Sequence, residues 1–166
     1  TAAGQMVSLW RAAGNPDQGA IPTSWATCTN ATPGAVPFTA GTGTDKTHIG
    51  HLSATLANIG SVQLFDRVAT MGGLSGTSTA AQPVNGSIPA ARGIAADGSN
   101  AEWYLEWYAD TGGTGVNATV SYTAGDDTTG NTVVVALSAT TRASRMIRIP
   151  ANAGKPIKSI QTVQLS

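Results

Sequence analysis

The feature that most constrains the fold of this chain is residues 100–122, NAEWYLEWYADTGGTGVNATVSY. Trp103, Leu105 and Trp107 alternate with Glu102, Tyr104, Glu106 and Tyr108. Successive side chains of a strand point to opposite faces, so this pattern gives one apolar face and one amphipathic face. A glycine-rich run at 110–115 follows, after which Val116, Ala118, Val120 and Tyr122 resume the period of two. The pattern predicts a hairpin with a loop longer than the tightest type. It holds two of the four tryptophans and all three tyrosines, the residues that dominate burial energy. Trp103, Leu105 and Trp107 are therefore expected to wall a core.

Upstream, residues 4–13 place Met6, Leu9, Trp10 and Ala13 on one helical face. Gly14 and Pro16 supply a stop. This predicts a short N-terminal helix, too short to stand alone in water, with Trp10 as its anchor. From 15 to 46 four prolines and four glycines lie among Ser, Thr and Ala. Such a stretch disfavours regular structure and reads as an extended arm, with Trp25 as a second anchor on a partner or on its own domain. The division expected is 1–46 for helix and arm and 47–166 for a β-rich body.

In that body, strands are expected at 48–57, 61–69, 78–84, 131–138, 142–149 and 159–165, besides the two of the hairpin. The 61–69 strand breaks phase after Val62 and Leu64, at Phe65 and Val68, which indicates a bulge. Val133, Val134 and Val135 are apolar on both faces and predict a central, covered strand. Ile160 and Val163 are out of phase by one. Residues 88–100 are expected to be irregular. Many short strands at regular intervals predict an all-β, antiparallel β-sandwich or jelly-roll-like body.

Composition narrows the functional classes. Charged residues make up 11% of the 166 positions and the formal net charge is zero, against roughly 25% charged in an ordinary soluble domain. Nucleic-acid binding needs clustered cations, and Arg142, Arg145 and Arg148 form the one basic cluster. Arg142 and Arg148 would share a strand face, and the trio suits acidic groups on a neighbouring subunit. Near-neutral charge favours association, so a surface covered by partners or by copies of the chain is expected. No apolar run reaches the roughly 20 residues of a membrane-spanning helix. No basic-then-apolar signal segment is present, and the start at Thr1 reads as a processed or trimmed product. Cys28 alone cannot form an internal disulfide and reads as a small buried filler.

Catalytic and metal constellations are weak. His48 and His51, three apart, would face opposite sides of a strand. Asp110, Asp126 and Asp127 lack the spacing of a calcium loop. Glu102 and Glu106 would lie about 13 Å apart on one face, too far for a glycosidase pair. Residues 72–76 are not followed by the lysine and helix of a phosphate loop, and no serine sits in a nucleophile elbow. No enzyme, cofactor or metal is expected. Tyr104 and Tyr108 with the two glutamates leave open a carbohydrate-binding or adhesin face.

Four blocks carry a resemblance: LWRAAGNPDQGAIPTSWATCTNATPGA, QLFDRVATMGGLSGTSTAAQ, EWYLEWYADTGGTGVNATVSYT and RASRMIRIP. Together they span most of residues 9–149, and they resemble structural proteins encoded near the head genes of tailed bacteriophages. The resemblance implies a virion protein that decorates or cements the capsid surface, bound to major capsid protein and to sister subunits. It implies no catalytic residue and no cofactor. Head-fibre and tail positions stay open, and the similar proteins extend beyond this chain at both ends. Trp10, Trp25, Tyr104, Tyr108, Arg142, Arg145 and Arg148 are the candidate interface residues.

Overall fold

The computed structural model describes residues 5–39, 41–45, 47–48, 50–90 and 92–166. Gly4, Lys46, Ile49 and Ala91, which belong to the expected helix, arm, strand and loop, lie outside the described residues. The fold is all-β, with nine strands and no helix among the described residues. In chain order they are β1 (Met6–Val7), β2 (Ala26–Thr27), β3 (Ala69–Thr70), β4 (Gln82–Ser87), β5 (Trp103–Glu106), β6 (Val116–Ala124), β7 (Asn131–Leu137), β8 (Arg145–Ile149) and β9 (Ile157–Leu165). They form three antiparallel sheets, ordered β4-β9-β6-β7, β1-β8-β5 and β2-β3. The arrangement is consistent with a β-sandwich.

β6 is the centre. Ala118, Val120, Tyr122 and Ala124 are each 0% exposed, while the residues between them are only half-buried. Opposite lies the apolar face of the three-stranded sheet. Trp103, Leu105, Trp107 and Ile147 pack on the core cluster, and Ile149 is part of it. The expected aromatic wall is therefore present, although its two strands do not form a hairpin. β5 pairs with β8 (Leu105↔Ile147), whereas both edges of β6 are taken by β7 and β9. Residues 107–115 carry the chain from one sheet to the other, across the roughly 10 Å between stacked sheets. That crossover is pinned to the return crossover between β7 and β8. Thr111 donates its N–H to the carbonyl of Thr141 (2.9 Å), and Thr140 donates to Gly112 (2.8 Å).

β9 explains the broken period at the C-terminus. Its buried residues are Ile157, Ile160 and Val163, paired with Ala124, Tyr122 and Val120. The register shifts leave Lys158 and Gln161 as the extra residues of two bulges. A spacing of three on β9 thus meets a spacing of two on β6, and every apolar residue still reaches the core. β4 keeps its own bulge between Pro83 and Gly86, where Asn85 adopts a positive φ of 48°.

Several expectations are corrected. Residues 6–7 are a strand on the edge of β8 (Met6↔Met146), continued by a bond from Ser8 N–H to the Ser144 carbonyl at 2.7 Å. The helical spacing loses because so short a helix is unstable by itself, and the β8 edge offers main-chain partners. Of the two strands expected across 48–69, only Ala69–Thr70 forms, extended by the Cys28 N–H donating to the Val68 carbonyl at 2.9 Å. Strand geometry needs a neighbour to pair with, and the described residues of 50–67 pair with no neighbouring strand. Every described residue from 36 to 66 is exposed. β7 is an edge strand rather than a central one, and Val134 is 58% exposed.

Removing the ring of Tyr122 (Tyr122→Ala) or Trp103 (Trp103→Ala) should cost about 3–5 kcal/mol. Val134→Ala should change stability by no more than about 0.5 kcal/mol. Denaturant unfolding followed by far-UV circular dichroism measures all three.

Candidate interaction surface

Two tryptophans organise the irregular N-terminal segment, Trp10 packing within it and under Arg67, and Trp25 fixing it to the sheets. The indole N–H of Trp10 donates to the Ala20 carbonyl (3.0 Å), and its ring covers Gly19 so closely that any Cβ there would collide with it. The Trp25 ring stacks on Trp103 with centroids 5.3 Å apart, and its N–H donates to the Ser87 carbonyl at 3.0 Å. A Cβ on Gly86 would stand 2.6 Å from the Trp25 ring, so glycine is what admits the indole to β4. Both anchors are spent on the chain's own body.

The outer face of β5 holds a charged cluster over which the chain returns from the exposed stretch. Arg67 places its guanidinium 4.7 Å from the Trp10 ring centroid and bonds the Glu106 carboxylate at 2.7 Å. The Glu106 side chain is only 6% exposed and that of Arg67 23%, so water screens this pair far less than a surface ion pair. One carboxylate oxygen of Glu106, Oε1, is buried without a hydrogen-bond partner among the described residues. Tyr108 lies beside it, with Arg11 6.0 Å over its ring. Burial first, and then the negative charge of Glu106, push the Tyr108 phenol above its usual range.

Tyr104 completes this face. Its hydroxyl donates to Glu102, and Phe65 meets its ring edge-on at 6.1 Å. Burial, reinforced by the hydrogen bond and charge of Glu102, raises its pKa to about 12. Within the chain, Tyr104 is engaged by Phe65 and Glu102, and Tyr108 by Arg11. Glu102 and Glu106 are held apart by separate arginines, since Arg148 takes Glu102 at 3.1 Å.

The arginines find partners inside the chain. Arg142 lies in the turn before β8 rather than on a strand, and binds Asp110 at 3.0 Å. The N–H of Ala143 and the Arg142 side chain together lower the Asp110 pKa. Arg145 opens β8 and reaches the Thr141 hydroxyl at 3.4 Å. Asp126 and Asp127 face Lys155 and Lys158, and His48 and His51 are exposed. Among the described residues no three His, Cys, Asp or Glu side chains gather as a metal site. Cys28 is buried, and burial raises its pKa. A shallow recess of about 360 Å³ lies between Ser87–Ala90 residues such as Ile88 and Pro89 and the turn bearing Ile94 and Ala96.

The longest exposed run among the described residues lies between 36 and 66. Val36, Phe38, Leu52, Leu56, Ile59, Val62, Leu64 and Phe65 all present large apolar side chains to solvent. Scattered single exposures are ordinary, but a run of this kind marks an interaction site. From 47 to 65 the sequence contains no Lys, Arg, Asp or Glu. The residues named as interface candidates missed this stretch. Its signal was the pair of segments at 48–57 and 61–69, read there as strands of the body. No known protein family matches this chain, and neither a curated protein nor a solved structure is detectably similar to it.

Arg67 ties down the point where the exposed stretch rejoins the body. Arg67→Met should destabilise the fold by about 3 kcal/mol, because it leaves the Glu106 charge buried without its partner. Arg67→Met combined with Glu106→Leu should recover most of that loss. Urea denaturation of the single and double variants reads both effects.

Proposed function

We propose that this chain is a non-enzymatic structural protein of a tailed-phage virion. It sits on the capsid surface and binds the major capsid protein and copies of itself. The observation that carries this reading is the long exposed stretch at 36–66, rich in apolar side chains and free of charge from 47 to 65, set on an all-β body. The resemblance of four sequence blocks to head-associated phage proteins supports it, as does the formal net charge of zero. In this reading a sandwich or jelly-roll-like body is the rigid part, kept in shape by Trp10 and Trp25. The 36–66 stretch spreads over neighbouring surfaces, where it loses conformational entropy but covers much area. Its leucines and Ile59 supply the affinity by leaving water, at about 1.5–3 kcal/mol for each side chain fully buried.

The test replaces Leu52, Leu56 and Ile59 together with serine. The expected result is loss of co-sedimentation with capsids by roughly 100-fold or more in affinity, with thermal unfolding unchanged because these side chains touch no core. Undiminished capsid binding by the triple variant contradicts the reading.

A further inference from the structure

Two stretches carry the sequence signature of a strand, and each leaves main-chain groups unpaired among the described residues: β7 along its outer edge, and 61–65 along its length. The first is β7. It ends the four-stranded sheet and pairs with β6 in unbroken register from Asn131 to Leu137. Edge strands are normally protected from further pairing by charges, proline or bulges. Residues 131–141 contain no Lys, Arg, Asp, Glu or Pro, and the β6–β7 ladder has no register shift. Asn152 reaches the Thr132 carbonyl at one end (3.3 Å). Among the described residues, the main chain of 133–137 bonds to nothing but β6. Along its outward row, Val134 is largely exposed.

The second is 61–65, SVQLF, in which Val62 and Leu64 alternate with Ser61, Gln63 and Phe65. Val62 is 47% and Leu64 58% exposed. We propose that residues 61–65 of one copy add as an edge strand to β7 of a second copy, pairing main chain to main chain. The period of two then sets Val62 and Leu64 beside Val133 and Val135 on the core-facing row. Ser61, Gln63 and Phe65 fall beside Thr132, Val134 and Ala136 on the outer row.

A second copy is the occupant the chain itself supplies: every molecule carries both an uncharged, unbulged edge at β7 and an exposed segment whose Val62 and Leu64 match that edge's two-residue period. Neither half carries a charge, so copies approach without like-charge repulsion. The contact joins two different surfaces, which lets it pass from copy to copy, closing into a ring or continuing across a surface. It deepens the capsid reading by naming the sister-subunit contact, yet it is a property of the chain alone.

The experiment uses the full chain with Cys28→Ala, or with the buried Cys28 retained if that change weakens the fold. One sample carries Gln63→Cys, and the other carries Thr132→Cys, Val134→Cys or Ala136→Cys. An isotope label on one sample identifies mixed disulfides by mass after mild oxidation. One of the three outer-row positions should give mixed dimer roughly ten-fold above a control cysteine at the exposed Thr114. Adding Val62→Lys should remove that excess. No excess at any of the three positions overturns the proposal. Capsid co-sedimentation is measured separately. Mixed dimers without capsid binding would refute the virion reading and leave this contact standing, and capsid binding without mixed dimers would do the reverse.

Discussion

Burial of alternate residues of β6 against the aromatic face of β5 is the interaction on which the rest of this structure depends. Ala118, Val120, Tyr122 and Ala124 lose all contact with water, and the surface that covers them includes Trp103, Leu105 and Trp107. Each later feature answers that packing. The bulges of β9 let residues spaced by three meet residues spaced by two. Gly86 admits Trp25, which stacks on Trp103 and so ties the N-terminal segment to the same core. The Tyr122 hydroxyl, carried into the interior by its ring, accepts the N–H of Asn152 at 3.2 Å.

The positions of the inner strands were legible from apolar patterning, cleanest in the period-two alternation of β6, which has one face fully buried. β6, β7, β8 and β9 lie within a few residues of the segments their patterns mark. The pairing between strands was not legible. Residues 107–115 have the composition of a hairpin loop, but nothing local tells a hairpin from a crossover between sheets. That choice is made by β7 and β9, which occupy both edges of β6. The helical spacing at Met6, Leu9, Trp10 and Ala13 failed for a related reason. Ten residues supply too little helix stability to compete with an open edge of β8. Trp10 keeps its role as an anchor, with Gly19 rather than a helical face beneath it.

The candidate surface was legible in a different sense. Val133–Val135 reads as a covered strand and 61–69 as a strand, yet in the single chain Val134 stands 58% exposed on an edge and every residue from 61 to 66 is exposed. Sequence patterning records burial without recording which molecule supplies it. A chain that completes its sheets with copies of itself carries core-like patterns on its own surface, and its charge content falls as that surface is withdrawn from water. The charged fraction of 11% and the uncharged run from 47 to 65 are what the proposed self-association would require.

The central claim is that the exposed 36–66 stretch and the β7 edge are free in the isolated chain and covered in the assembly. Amide hydrogen exchange, resolved by peptide and compared between the isolated chain and capsid-bound chain, tests it most directly. The account predicts rapid exchange across 50–66 in the isolated chain, with slow exchange in β6 and β9. On assembly, protection should appear in 61–65 and rise in 133–137. Equal exchange in both states at these two stretches, or strong protection of 50–66 before assembly, would contradict it.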